Sequence, residues 1–314
     1  MSMWHLLYNV VLVIAAPVIL VILLVKRRCR RGLLQRFGFA PPSLRSDSRP
    51  LIWVHAVSLG EAVAVAPLVK ELHRRHQDHR FVVSTVTETG REAVEQRLAG
   101  VAEHVYAPLD FPWVVSRLIS QLRPVLYIFV ETELWPNLLR DFHQRGIPTA
   151  MVNGRLSTRS FARQRWGPVR SFYQTMIKRV SLCLMQSDRD AERIMALGAT
   201  AHSVRRTGNI KFDQPMPVAA NSDSFRARLR LEPGERLFVA GSTHPGEEEA
   251  LVECYGRLVQ SIPSAVLLLA PRHIERVEQV EAMIRTRGMT VQRRSAIDNV
   301  HGVAVVRPRV IILD

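Results

Sequence analysis

Cysteine is scarce: 314 residues carry three, Cys29, Cys183 and Cys254, an odd number without metal-ligand spacing. That excludes a disulfide-stapled scaffold, predicts no zinc site and favours a reduced compartment. Acidic residues are also few against basic ones, 28 to 43, which leaves a formal net charge of +15. Such a surplus favours an anionic partner: phospholipid headgroups, a phosphorylated substrate or nucleic acid. The chain has no internal repeat, no low-complexity tract and no nucleic-acid-binding motif. What it has is a globular composition, 47% hydrophobic and 23% charged, over a length sufficient for two α/β domains.

A long apolar run occurs at the start. From Leu6 to Val25 only Tyr8, Asn9 and Pro17 interrupt it, and about 20 helical residues span a hydrocarbon layer of roughly 30 Å. A cleaved signal peptide would carry its basic residues before the run. Here Lys26, Arg27, Arg28, Arg30 and Arg31 follow it, which by the positive-inside rule keeps everything downstream in the cytoplasm. A single-pass anchor over residues 1–31 is preferred to a helix lying in the interface or buried in the protein.

Downstream, short β-branched runs alternate with helical patterns, the signature of a parallel sheet. Strands are expected at Leu51–Ala56, Phe81–Thr85, Val125–Val130, Thr149–Val152 and Leu182–Gln186, and helices at Glu61–His76 and near Arg91–Leu98. Pro215 and Pro217 open a linker over 215–230. A second α/β pattern follows in 231–314: strands Leu237–Ala240, Ala265–Ala270 and Val310–Leu313, a loop Gly241–Gly246 and a helix Glu247–Gln260. With so few βα units this second domain reads as incomplete. Ligands of such sheets bind outside the carboxyl ends of the strands.

Several strand exits carry candidate chemistry. At Ser58-Leu59-Gly60-Glu61, Gly60 lets a ligand approach the backbone and Glu61 is placed to act as a general base. The same spacing is a capping box, so both readings stay open. Glu131-Thr132-Glu133-Leu134-Trp135-Pro136-Asn137 sets two carboxylates at the end of a buried strand, where they need solvent or a partner. Lys211, in Gly208–Asp213, is expected to face a cleft between the domains and to meet charge on a leaving phosphate. In the second domain Gly241, Ser242, Thr243 and His244 offer small residues and a free helix start as a phosphate cradle. That loop has neither the Walker lysine spacing nor the dinucleotide glycine pattern. Pro271 and Arg272 bring a guanidinium to the matching edge. Asp188-Arg189-Asp190 is read as a helix start after Ser187, with no metal implied. A basic stretch through Arg155, Arg159, Arg163, Arg165, Arg170, Lys178 and Arg179, interleaved with Trp166, Phe172 and Tyr173, suits anionic lipid or is merely a solvated surface.

Together these strings resemble the Kdo transferases, which move 3-deoxy-D-manno-oct-2-ulosonic acid (Kdo) from CMP-Kdo to a lipid A precursor in lipopolysaccharide biosynthesis. The likeness runs through Arg31-Gly32-Leu33, Arg36-Phe37-Gly38, Trp53–Ala56, Ser58–Glu61, Glu131–Asn137, Asn153–Ser157, Gly208–Asp213, Gly241–His244 and Pro271–His273. It implies a GT-B architecture of two Rossmann-like parallel-sheet domains plus an N-terminal transmembrane helix at the inner membrane. The first domain, 32–214, would bind the acceptor and the second CMP-Kdo, with no further cofactor. It implies a metal-independent, inverting displacement with Glu61 as base, Glu131 and Lys211 supporting the transition state, and Pro271 and Arg272 in the CMP site. Ser58, Gly60, Arg155, Gly241, Ser242, Thr243 and His244 are the further substrate-binding candidates. Family members continue past Ile-Leu-Asp into Met-Gly-Glu-Leu and Gly-Gly-His-Asn segments, so a chain ending here is expected to be impaired as a stand-alone enzyme. The alternatives are a non-catalytic membrane-bound remnant that binds anionic lipid, another GT-B nucleotide-sugar enzyme, and a nucleic-acid binder resting on charge alone.

Overall fold

The computed structural model describes residues 3–25, 31–46, 48–214, 222–297 and 309–314. Lys26, Arg27, Arg28 and Arg30 of the basic run, and Pro215, Met216 and Pro217 of the expected linker, lie outside the described residues. The chain divides into two compact units, Met1–Pro215 and Met216–Asp314.

The first unit is built on seven strands: β1 (Leu51–His55), β2 (Arg80–Thr85), β3 (Glu103–Tyr106), β4 (Pro124–Val130), β5 (Thr149–Gly154), β6 (Leu182–Met185) and β7 (Val204–Arg206). They form one parallel sheet in the order β3-β2-β1-β4-β5-β6-β7. Helices cover both faces, so β1 is buried at every position. The two-residue side-chain period divides it. Leu51 and Trp53 join Tyr127 and Phe129 in one core, while Ile52 and Val54 join Ile128 and Val130 in the other. Trp53 meets the Tyr127 and Phe142 rings edge-on at 5.3 and 5.6 Å, and Tyr127 stacks on Phe142 at 4.4 Å. Helix Leu59–Arg75 turns Ala62, Val65, Ala66 and Val69 into the second core.

Strands β3 and β7 and helix Pro112–Leu122 are absent from the sequence-based expectation. β3 and β7 are the two edges of the sheet. Edge strands carry more polar residues, here Glu103 and His104 or Arg205 and Arg206, and so lose the apolar signature.

The second unit has four parallel strands, β8 (Arg236–Thr243), β9 (Ala265–Pro271), β10 (Thr290–Arg293) and β11 (Arg309–Ile312), in the order β10-β11-β9-β8. Helices Glu247–Ser261 and Val277–Thr286 pack Val252, Tyr255, Val280 and Ile284 on one face. Two expectations are corrected here. Helix Ser222–Arg228 lies within the stretch expected to be linker, and Leu229 after it is buried with Val266, Leu268 and Ile311, so it belongs to the second unit. The expected loop at Gly241–Thr243 is instead the end of β8, paired with β9 at Gly241–Ala270 and Thr243–Pro271 across a register shift. The shift is taken up by Ser242 at φ 61°, a bulge that a glycine-led reading mistakes for a loop.

Candidate active site

All seven strands of the first sheet run the same way, so their carboxyl ends open along one edge. The order reverses between β1 and β4, which makes the space between their exits the crevice where such sheets bind ligands. Glu61 and Glu131 flank that point.

After β1 the chain enters helix Leu59–Arg75 with Ser58 as its first cap. Both earlier readings of Glu61 meet here. Its Oε2 accepts the backbone N–H of Val57 at 2.7 Å, and the Ser58 hydroxyl donates to Oε1 at 3.3 Å. This is a variant of the capping box, because Ser58 makes no side-chain bond to the helix backbone. The carboxyl is nevertheless held above its ordinary pKa. Burial is the largest cause and the neighbouring Glu133 and Glu131 add to it, against the pull of the Val57 N–H and the Ser58 hydroxyl. A partly desolvated carboxylate beside two like charges is a stronger base than a surface glutamate. Gly60 is exposed, and a Cβ added there would meet nothing within 4 Å. No packing among the described residues calls for a glycine at that position.

After β4 the chain turns sharply. Glu131 sits at φ 57°, a left-handed conformation unusual for a non-glycine residue, held by its N–H donating to the Val152 carbonyl at 2.8 Å. Arg155 Nε donates to Glu131 Oε2 at 3.2 Å, and Thr132 Oγ1 to the Arg155 carbonyl at 2.8 Å, tying the β4 and β5 exits together. Arg155 is thus a charge partner of Glu131. The Trp135 indole donates to Glu133 at 3.2 Å and packs edge-on against His55 at 5.3 Å.

Lys211 lies in the short helix Ile210–Asp213, beside helix Leu59–Arg75. Its neighbour Ile210 packs with the core face of that helix and donates its N–H to Asn153 Oδ1 at 3.1 Å. Lys211 itself is exposed and makes no ion pair among the described residues.

Sequence reasoning left Asn153 out of the candidate site and did not single out His55. Asn153, the next-to-last residue of β5, sits at φ 57°, is 3% exposed, and its Nδ2 has no partner among the described residues, a donor that a water or ligand oxygen would satisfy. An Asn before Gly at a strand end is the signal that could have found it. His55, also fully buried, has Nδ1 2.8 Å from Ser84 Oγ, which in turn accepts the Trp53 indole N–H at 2.7 Å. Burial holds its pKa down at about 4, so the ring is neutral. Asp190 takes the helix-start role expected of it: its N–H bonds to Ser187 Oγ at 3.2 Å, and it accepts from Leu156 N at 2.8 Å.

In the second unit the exits of β8 and β9 adjoin. Arg272 N donates to the Thr243 carbonyl at 2.9 Å, and the His244 and His273 rings are 6.1 Å apart. His244, Arg272, Gly241 and Ser242 are exposed, while Thr243 and Pro271 are buried. At the expected phosphate cradle, Glu247 accepts His244 N and Glu249 accepts Gly246 N, each at 2.8 Å, so carboxylates already bind two of the loop N–H groups just before the helix. Glu248, fully buried, accepts the Thr243 hydroxyl at 3.0 Å and pairs with Arg276 at 3.0 Å.

Part of the basic stretch is absorbed by the fold, Arg155 on Glu131 and Arg170 on the Ala196 carbonyl. Arg159 and Arg163, with Trp166 and Tyr173, line an open groove of about 770 Å³. Among the described residues one cluster has metal-ligating geometry, His76, Asp78 and His79, beyond the far end of the helix that begins beside Glu61.

Residues 31–214 match the family model of 3-deoxy-D-manno-octulosonic-acid transferase (kdotransferase). The 3-deoxy-D-manno-octulosonic acid transferase of Haemophilus influenzae is 34% identical over 304 residues, covering 93% of this chain and 69% of that one. The Bordetella pertussis enzyme of the same name is 33% identical over 83% of this chain and 61% of its own. A probable mitochondrial counterpart in Arabidopsis thaliana is 31% identical over 83% and 58%. The chain therefore spans 58% to 69% of the length of these relatives. Among solved structures, UDP-GlcNAc 2-epimerase from Neisseria meningitidis superposes with a TM-score of 0.57 at 12% identity, over 84% of this chain and 72% of that one. A glycosyltransferase from Rickettsia africae gives 0.54 at 11%, over 76% and 66%. At such identity the likeness is one of fold, parallel α/β units of the GT-B type.

Proposed function

Because this chain belongs to the 3-deoxy-D-manno-octulosonic-acid transferase family, we propose that it transfers Kdo from CMP-Kdo to a hydroxyl of a lipid A precursor. The observation that carries this reading is the Glu61 carboxylate, raised in pKa at the switch point of the first sheet, above an exposed Gly60. Glu61 takes the acceptor hydroxyl proton as the oxygen attacks the anomeric carbon of Kdo. The bond from that carbon to the CMP phosphate oxygen breaks, its electron pair leaves with CMP, and the configuration inverts. Glu131, set by its turn and by Arg155, orients the acceptor. Lys211 meets the phosphate charge of the leaving group, which lets the displacement run without a metal.

In this reading the residues round the β8 and β9 exits bind the nucleotide through side chains and the exposed Gly241–Ser242 backbone. Arg159 and Arg163 fit phosphate groups of the lipid acceptor. The helix Met3–Val25 holds the protein at the cytoplasmic face of the inner membrane. It is long enough to span once, as the sequence leads one to expect; its packing favours another seat, argued below.

The test is Kdo transfer from CMP-Kdo to a lipid A precursor by the full chain and by Glu61→Gln, with CMP binding followed calorimetrically. Transfer should be lost in the variant while CMP affinity stays unchanged. A variant that transfers at the parent rate would remove Glu61 from the mechanism.

A further inference from the structure

The helix Met3–Val25 contains no charged residue, and its two sides differ. One stripe, recurring three and four residues apart, faces the first unit with polar groups. His5, fully buried, has Nε2 3.1 Å from the Pro136 carbonyl. The Tyr8 hydroxyl donates to Asp110 Oδ2 at 2.9 Å. Asn9 and Asn137 exchange amide hydrogen bonds of 3.3 and 2.8 Å. Trp4 and Tyr8 lie against Phe172 at 6.2 and 6.0 Å. Further along, Leu20 and Leu23 share an apolar groove with Phe111 and Trp113. The opposite side, Leu7, Val10, Ile14, Val18, Val21 and Val25, is exposed and wholly apolar.

We propose that this helix lies along the membrane, with its polar stripe bonded to the first unit and its apolar side sunk into the acyl region of one phospholipid leaflet. A spanning pose would carry His5, Tyr8 and Asn9 toward the far leaflet. It would break every bond just described and leave Asn137 and the buried Asp110 short of partners. The surface beside the helix matches the in-plane seat. Trp113 is 57% and Phe39 45% exposed, and the Arg117 guanidinium, one turn beyond Trp113, sits 4.5 Å over the Phe39 ring. An aromatic pair with an exposed arginine suits anionic headgroups at the border of the acyl layer. The seat also reaches the catalytic loops. Asp110 accepts the N–H groups of Asn137 and Leu138 as well as the Tyr8 hydroxyl, so one carboxyl joins the anchor to the segment Glu131–Asn137. Docking on the leaflet thereby fixes the height of the acceptor site above a lipid-linked substrate.

This inference rests on the membrane association proposed above, and its test separates the two. The full chain carrying Cys29→Ser and Ser2→Cys is added to preformed vesicles of phosphatidylethanolamine and phosphatidylglycerol. Flotation reads association, and a membrane-impermeant maleimide reads which side residue 2 occupies, with exposed Cys254 as the outside reference. The expected result is flotation with residue 2 labelled from outside to the same extent as Cys254. Flotation with residue 2 unlabelled until detergent is added would overturn the in-plane seat and leave association standing. Absence of flotation would overturn both. As a second readout, Tyr8→Phe with Asn9→Leu should lower the melting temperature of the first unit while flotation persists. An unchanged melting temperature would mean the polar stripe is not docked.

Discussion

The two units present the same kind of edge, the carboxyl ends of parallel strands, and set their capping carboxylates in different surroundings. In the second unit the three glutamates that open helix Glu247–Ser261 are all engaged: two cap backbone N–H groups and the third is locked to Arg276 and Thr243. In the first unit Glu61 also caps, accepting from Val57 N and Ser58 Oγ, but it is partly buried and stands near Glu133 and Glu131, and burial first and these charges second raise its pKa. Carboxylates that only bridge loop donors hold a loop in shape, whereas one that is also desolvated beside like charges becomes a stronger base. The difference separates a wall that positions from a group that reacts.

The strongest way to break that contrast is to neutralise Glu61. Glu61→Gln should cut the transfer rate by about 10²–10⁴-fold, the usual worth of a general base, with little change in thermal stability. Its raised pKa has a companion signature. The base works only when ionised, so the rate should fall, as pH is lowered, at a higher pH than an ordinary glutamate would allow. A pH–rate profile whose acidic limb sits at the ordinary position would count against the assignment.

Glu248→Ala should do the reverse. Removing one partner of a buried pair strands Arg276 and should cost the second unit about 3–5 kcal/mol, read by urea unfolding. A loss below about 1 kcal/mol would mean the pair is solvated like a surface bridge. Next in size is an acid effect in the first unit. The folded pKa of His55, about 4, lies below its ordinary value of 6.5, so its contribution to stability is full above pH 6.5 and is lost as pH falls toward 4. The stability difference between the parent and His55→Gln should shrink by about 3 kcal/mol over that window. Taking the difference removes the other shifted groups, including Asp110, which burial pushes up to about 7 and which acts with the opposite sign. A flat difference curve would show that His55 reaches solvent.

The smallest effect is the most discriminating. Because a Cβ at Gly60 meets nothing, Gly60→Ala should raise stability by about 0.5–1 kcal/mol through helix propensity. If substrate approaches that backbone, the same variant should lose transfer. A stabilised variant with full activity would place the acceptor elsewhere.

Much of this was legible in the chain. The apolar runs of β1, β4 and β9 fixed the parallel α/β class because buried strands must be continuously hydrophobic. The specific strings around Glu61, Glu131 and Lys211 named the family that the matches to known proteins then established. Edge strands β3, β7 and β10 were not legible, since their more polar residues lose the apolar signature. Nor was helix Ser222–Arg228, whose place depends on Leu229 meeting a core from distant strands.

The sequence by itself determined the central elements, their parallel arrangement and most of the candidate residues, because these follow from local periodicity and from motif identity. Only the tertiary structure decided which of those residues have spare bonding capacity. Glu247 and Glu249 turned out to be caps, Glu131 to be paired, Asn153 to hold a donor without a partner among the described residues, and Tyr8 and Asn9 to bond across to Asp110 and Asn137. Whether a polar atom is satisfied depends on neighbours brought close by folding, often more than a hundred positions away in the chain, and no local pattern records them.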